Sequence, residues 1–280
     1  MKANVQLPSE CPSLAQSCGI YRERAAVGAL ADHVKCFWTH HLPDDGSARV
    51  AVVPDGCVDI IWISGGLAVV GPDRVAAFPR LAGETIVGAR FRIGSASSWL
   101  HTPLDEITGK TVPLDHFWGR PARIMEARMT EATGAAARIA VLSVVLQNRL
   151  HTVTPPSAEI AACASLLEND RSDSIEPIRA LARETGTSER TLRRRCHEHF
   201  GYGAKTLDRI LRLQRFLATC RIRPQSTLAN LALDAGYADQ AHLGREAKEL
   251  TSLTPSDIQK QLANMMRNFS QQPQHACWER

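Results

Sequence analysis

The chain of 280 residues contains no long hydrophobic run: its apolar stretches, such as IIWI at 60–63, fall far short of a bilayer span. A helical membrane protein is thereby excluded. The first residues, MKANVQLPSECPS, lack the apolar core of about 7–15 residues that marks a secretory signal. The cytoplasm is the expected compartment. Eight cysteines, at 11, 18, 36, 57, 163, 196, 220 and 277, include no CxxC pair. In a reducing compartment they are expected as free thiols and not as a disulfide framework. Low-complexity segments are also missing, and 280 residues leave room for two domains with separate cores.

The charge is uneven. Residues 1–170 carry 15 Lys and Arg against 17 Asp and Glu, a net −2, while residues 171–280 carry 18 against 12, a net +6. Such asymmetry points to an anionic partner for the C-terminal part.

Residues 49–53 (RVAVV), 58–63 (VDIIWI), 67–70 (LAVV) and 85–93 (TIVGARFRI) read as short strands rich in β-branched residues. Ser64-Gly65-Gly66 supplies a hairpin turn, and the spacing fits a small sheet or barrel. From about residue 95 the period turns helical, first over 121–131 and 135–150. The stretch 151–157 (HTVTPPS) breaks that pattern and reads as a linker. From 157 to about 263 everything is helical in period. The expected class is α+β. A β-rich, barrel-like domain ending in helices (1–152) precedes an all-α domain (153–264), and a flexible tail follows (265–280).

The C-terminal half repeats itself. IRALARETGTSERTLRRRCHEHFG (178–201) lines up with LANLALDAGYADQAHLGREAKELTS (228–252). Each copy has a short helix with Leu-Ala, then a glycine (Gly186, Gly236), then a second helix in which Leu192 and Arg194 recur as Leu243 and Arg245. The second copy has one more residue between glycine and leucine. Helix, short glycine turn, helix is the helix-turn-helix arrangement, whose second helix enters a DNA major groove.

RTLRRRCHEHFG (190–201) also invites a metal reading through Cys196, His197 and His199. Side chains share a helix face at spacings of three or four, and no pair among these has that spacing. Arg190, Arg193 and Arg194 do share a face, near a helix start behind Ser188 as N-cap. Leu192, Cys196 and Phe200 stand on the other side, which makes Cys196 a small core residue. The arginines carry the chemistry here; a solvated basic surface is the bland alternative that the repeat weakens.

At this point residues 157–262 resemble the DNA-binding domain of AraC/XylS-type transcription regulators. Gly236, Tyr237, Asp239, Gln240, His242, Arg245, Lys248, Thr254 and Pro255 match the signature of the second half of that domain. Three positions depart: Leu243 and Ala247 stand where phenylalanine is usual, and Ser252 where glycine is. The resemblance implies double-stranded DNA as partner, with RNA polymerase, and no cofactor. Carried over by position, Arg190, Arg193 and Arg194 are DNA-contact candidates in the first unit, and Gln240, His242 and Arg245 in the second. A helix over 204–221, about 28 Å long, would hold the two readers near one DNA turn apart.

In that family the variable domain senses a small-molecule effector or makes a homodimer. VVPDGCVDIIWISGGLAVVGP followed by GARFRIGSA resembles an N-terminal module found in a subset of these regulators. Trp38, Cys57, Asp59 and Trp62 are the candidates for an effector pocket, with Trp99 and Trp118 as further core or pocket aromatics. A reactive Cys57 is disfavoured because two flanking carboxylates raise a thiol pKa. Two alternatives stay open. A thiol- or metal-responsive regulator would use His33, Cys36, His40, His41 and Cys57, and an N-terminal enzyme would be fused to the DNA-binding part. No nucleophile with a supporting base is visible, so no catalytic residue and no metal ligand is assigned.

Overall fold

The computed structural model describes residues 13–44, 50–79, 83–169 and 176–271. The N-terminal half holds β1 (Ser13–Leu14), β2 (Ile20–Ala25), β3 (Val34–His41), β4 (Val50–Ala51), β5 (Asp59–Ile63), β6 (Gly66–Val70) and β7 (Thr85–Phe91). It continues with α1 (Ala96–Leu100), β8 (Thr111–Pro113), α2 (Asp115–Trp118), α3 (Arg120–Glu131) and α4 (Gly134–Arg149). Six strands form one antiparallel sheet in the order β2-β3-β7-β5-β6-β8, while β1 and β4 make a separate parallel pair. Of the sheet or barrel that the spacing allows, the structure takes the sheet: it stays open, with β2 and β8 at its edges.

The β5–β6 hairpin turns on Ser64 and Gly65, both at positive φ (49° and 79°), as a two-residue turn between twisted strands requires. Glu84 fixes the turn by accepting from the Ser64 amide and hydroxyl. Strands β2 and β3 escape a reading by periodicity for opposite reasons. β2 is an edge strand, mostly exposed on both faces, and β3 is buried on both, so neither alternates.

One face of the sheet carries Phe37, Ile60, Trp62, Val69, Val87 and Phe91 into the main core with α1, α3 and α4. Trp99 and Trp118 lie in that core, and the Trp118 indole donates to the Trp99 carbonyl at 2.9 Å. The other face carries Cys36, Trp38, Ile61 and Ile86, closed over by Cys18, Leu42 and Val50.

The C-terminal half is helical: α5 (Ala158–Asn169), α6 (Glu176–Glu184), α7 (Glu189–Phe200), α8 (Ala204–Ile222), α9 (Leu228–Ala235), α10 (Gln240–Thr251) and α11 (Pro255–Gln271). Two cores divide it, and α8 serves both. Leu207, Ile210 and Leu211 pack with α5, α6 and α7, whereas Leu213, Phe216, Leu217 and Cys220 pack with α9, α10 and α11. α11 runs past the expected domain end at 264 to Gln271, with Ile258, Leu262 and Met265 on one apolar stripe. The remainder of the expected tail, 272–280, lies outside the described residues.

Candidate nucleic-acid interface

Ser188 opens α7 as its N-cap, its hydroxyl accepting from the Thr191 amide at 3.1 Å, with Glu189 in the first turn. Leu192, Cys196 and Phe200 stand four apart and are buried. Their burial turns Arg190, Arg193 and Arg194 outward, and all three are exposed. Arg194 reaches Glu198 at 3.4 Å, an exposed i,i+4 pair that competes weakly with any outside partner. Arg195 does not join them; it pairs with Glu159 of α5 at 3.0 Å.

The structure sends the three suspected metal ligands apart. Cys196 lies in the core, where its hydrogen bond to Cys163 and its burial push the thiol pKa up. His197 lines a surface cleft. His199 Nδ1 lies 2.7 Å from Ser97 Oγ of the N-terminal domain, and burial pulls its pKa down.

α10 repeats the plan with other side chains. Asp239 is its N-cap, accepting from the His242 amide at 2.6 Å. Leu243, Ala247 and Leu250 are buried, and Gln240 and Arg245 are exposed. His242 is 21% exposed; its ring meets Tyr237 edge-on at 5.3 Å and lies 3.8 Å from Glu246. Arg209 of α8 holds Glu246 at 2.6 Å and Glu249 at 2.7 Å. Ala247, where phenylalanine is usual, is fully buried. Ser252, where glycine is usual, caps the helix at φ 63°, a left-handed conformation that glycine adopts without strain. The capping role of Asp239 and the Arg209 brace went unread in the sequence. The first had a signal, an aspartate just ahead of the helix; the second joins residues 37 and 40 apart and had none.

The four residues expected at an effector pocket do not lie on one face of the sheet. Alternation along β5 puts Asp59 and Ile61 on one face and Ile60 and Trp62 on the other. Trp62 lies in the main core with the Arg138 guanidinium 5.3 Å over its ring. Trp38 and Asp59 do meet, the indole donating to the carboxylate at 3.4 Å. Their organiser is Arg90, a residue the sequence reading passed over. It donates twice to Asp59, at 3.0 and 2.9 Å, pairs with Asp55 at 3.1 Å, and lies over Trp38. Cys57 is buried beside this group; burial first, and Asp55 second, push its thiol pKa well up.

The residues of the metal alternative are engaged elsewhere. His40 Nε2 meets the Cys18 carbonyl at 2.6 Å, His41 Nδ1 meets Thr85 Oγ1 at 2.8 Å, and His33 packs edge-on against Trp99.

The turn 54–57 is also where the domains meet. Gln214 of α8 donates to the Pro54 carbonyl at 2.7 Å. A Cβ on Gly56 would lie 2.8 Å from Leu207 of the same helix, and Gly56 sits at φ 80°. Further ties run from Thr108 Oγ1 to the Gly201 carbonyl and from the Ala76 amide to the Leu250 carbonyl. No described helix is long and apolar enough to cross a membrane.

Residues 181–261 match a helix-turn-helix domain family (HTH_18), and residues 22–113 match a domain of unknown function (DUF6597). No curated protein matches the chain. Among solved structures, a 1.65 Å structure of ToxT from Vibrio cholerae is 11% identical with a TM-score of 0.43; the match covers 86% of this chain and 98% of that one. A second ToxT structure, bound to an unsaturated fatty acid, is 11% identical with a TM-score of 0.40 and covers 88% and 93%. The chain carries a C-terminal helix-turn-helix domain of the AraC type, the DNA-binding module of transcription regulators, behind an N-terminal DUF6597 domain.

Proposed function

We propose that the protein is a transcription regulator that reads two successive major-groove segments of double-stranded DNA from a single chain. One observation carries this reading: two N-capped helices of 12 residues, α7 and α10, are braced at opposite halves of one 19-residue helix. At 1.5 Å per residue α8 is about 28 Å long, near the rise of one DNA turn. Arg190, Arg193 and Arg194 serve the first groove, where arginine pairs with guanine edges and phosphates. Gln240 and Arg245 serve the second, with glutamine suited to adenine. His242, held between Tyr237 and Glu246, positions the first turn of α10.

The N-terminal domain carries the response to an effector or the self-association of the regulator. Its turn 54–57 bears on α8 on one side and on the Arg90–Asp59–Trp38 group on the other. A change at that group is thereby felt by the helix that spaces the readers. The test is binding to duplex DNA at several salt concentrations. With about six phosphates contacted, log K against log salt falls with a slope near −5. A binding constant flat in salt overturns the reading.

A further inference from the structure

A cleft of about 780 Å³ opens beside the first recognition helix. Arg190 and Arg193 of α7, Arg179 of α6 and Lys205 of α8 line it, together with Arg74, which belongs to the N-terminal domain. The acidic residue in its wall is Glu189, and Arg179 faces it at 3.7 Å. Arg74, Arg190, Arg193 and Lys205 have no ion-pair partner among the described residues, and Arg74 is exposed.

The loop that presents Arg74 is firmly seated. The Gly71 amide donates to the Lys110 carbonyl at 2.9 Å, and the Pro72 carbonyl accepts from Gly109. Pro72 abuts Gly201 at the end of α7, and the Ala76 amide donates to the Leu250 carbonyl at the end of α10. Arg74 is therefore held in place between contacts with both helix-turn-helix units. Like charges brought to one concave wall repel, and this wall gathers five cations from two domains against the single lining carboxylate of Glu189. Its natural complement is an oxyanion.

We propose that this cleft receives a phosphate of the DNA strand that borders the groove entered by α7, and that Arg74 grips it. The N-terminal domain thus contributes directly to DNA affinity. The proposal rests on the DNA reading above. A phosphate contact adds about 0.9 to the salt slope and carries no sequence information.

The test uses the full chain and a mixed-sequence duplex of about 30 base pairs, long enough for two groove segments one turn apart. Arg74→Ala is expected to make the salt slope shallower by about one and to weaken binding several-fold. Arg74→Lys keeps the wild-type slope, and thermal unfolding of both variants stays at the wild-type midpoint because the side chain is exposed. Pyrophosphate at constant ionic strength distinguishes the source of the anion. Pyrophosphate binding abolished by Arg74→Ala, with the DNA slope unchanged, assigns the cleft to a small free anion and overturns the proposal. Equal slopes for wild type and Arg74→Ala, without pyrophosphate binding, overturn it as well. A wild-type protein without salt-dependent DNA binding overturns the DNA reading itself, and this inference falls with it.

Discussion

α7 and α10 are each 12 residues long and can be compared position by position from their N-caps, Ser188 and Asp239. Facing inward, Leu192 matches Leu243 and Cys196 matches Ala247; at the C-cap, Gly201 stands against the exposed Ser252. Facing outward, Arg190 stands against Ala241, Arg193 against Gly244, and Arg194 against Arg245. Two buried positions keep small or aliphatic side chains in both units, a third exchanges Phe200 for Thr251, and two of the three outward positions lose an arginine. The first unit presents three exposed arginines, Arg190, Arg193 and Arg194. The second offers small residues, and nothing lies within 4 Å of a Cβ built at Gly244, so the backbone of α10 is open to close approach. Even the side chains that lock each helix swap sign: Arg195 pairs with Glu159, and its counterpart Glu246 pairs with Arg209.

The largest expected effect breaks both units together. Arg212 of α8 is 1% exposed and donates to Asp208, which also faces Arg215 at 3.8 Å. Arg215 donates to the Leu167 carbonyl at the end of α5 and to the Ala235 carbonyl at the end of α9, one from each unit. Asp208→Ala removes the carboxylate that the buried Arg212 donates to and Arg215 faces, and should cost about 3–5 kcal/mol of stability. Urea unfolding measures it. A loss under about 1 kcal/mol would show that α8 does not tie the units through this group.

The next effect separates the units. Arg193→Ala should cost about 1–3 kcal/mol of DNA binding and relax selectivity at particular base pairs. Arg245→Ala should cost less and weaken all duplexes alike. Gly244→Arg restores to the second unit what the first has at that position, and should tighten binding while steepening the salt slope by about one. Titrations against a selected operator and a scrambled duplex of equal length decide the matter. Equal losses on both duplexes for Arg193→Ala would make it a phosphate contact.

The frame of the C-terminal domain was legible because its rules are local. Apolar spacing, a serine before a helix and glycines after two others act within a few residues. The exposed arginine face followed from the same arithmetic. The rest depends on partners remote in sequence. Nothing near Asp59 announces that Arg90 would bind it across the sheet, and helix periodicity cannot say that His199 would meet Ser97. That Trp62 faces away from Trp38 and Asp59 is a matter of strand register, where one residue changes the face.

A smaller effect concerns the C-caps. Ser252 adopts a left-handed conformation at φ 63° that costs a residue with a Cβ about 1 kcal/mol. Ser252→Gly should therefore raise stability by about that amount, read as a higher melting midpoint. The reverse change in the first unit, Gly201→Ser, should be costlier than the strain alone. A Cβ there would lie 2.6 Å from Pro72 Cγ and Thr108 Oγ1. An unchanged midpoint for Ser252→Gly would mean that its strain is already relieved.

The smallest effect distinguishes the units by pH. His199 of the first unit has Leu250 as its counterpart in the second, so only one of these positions titrates. Burial holds the His199 pKa below its ordinary value near 6.5. The unfolded chain then binds the proton more readily, so the stabilisation is present above pH 6.5 and is lost as the pH falls below it. His33 and His40, also lowered by burial, act in the same direction. Asp73 opposes them. Burial and Asp55 push its pKa up to about 6, which penalises the fold at neutral pH and relaxes that penalty on acidification. His199→Gln should accordingly flatten the loss of stability between about pH 7 and pH 5, while Asp73→Asn should raise stability at pH 7 and steepen the loss. Unfolding midpoints across that range test both. A His199→Gln profile as steep as wild type would place the acid sensitivity wholly in the N-terminal histidines and remove this asymmetry between the units.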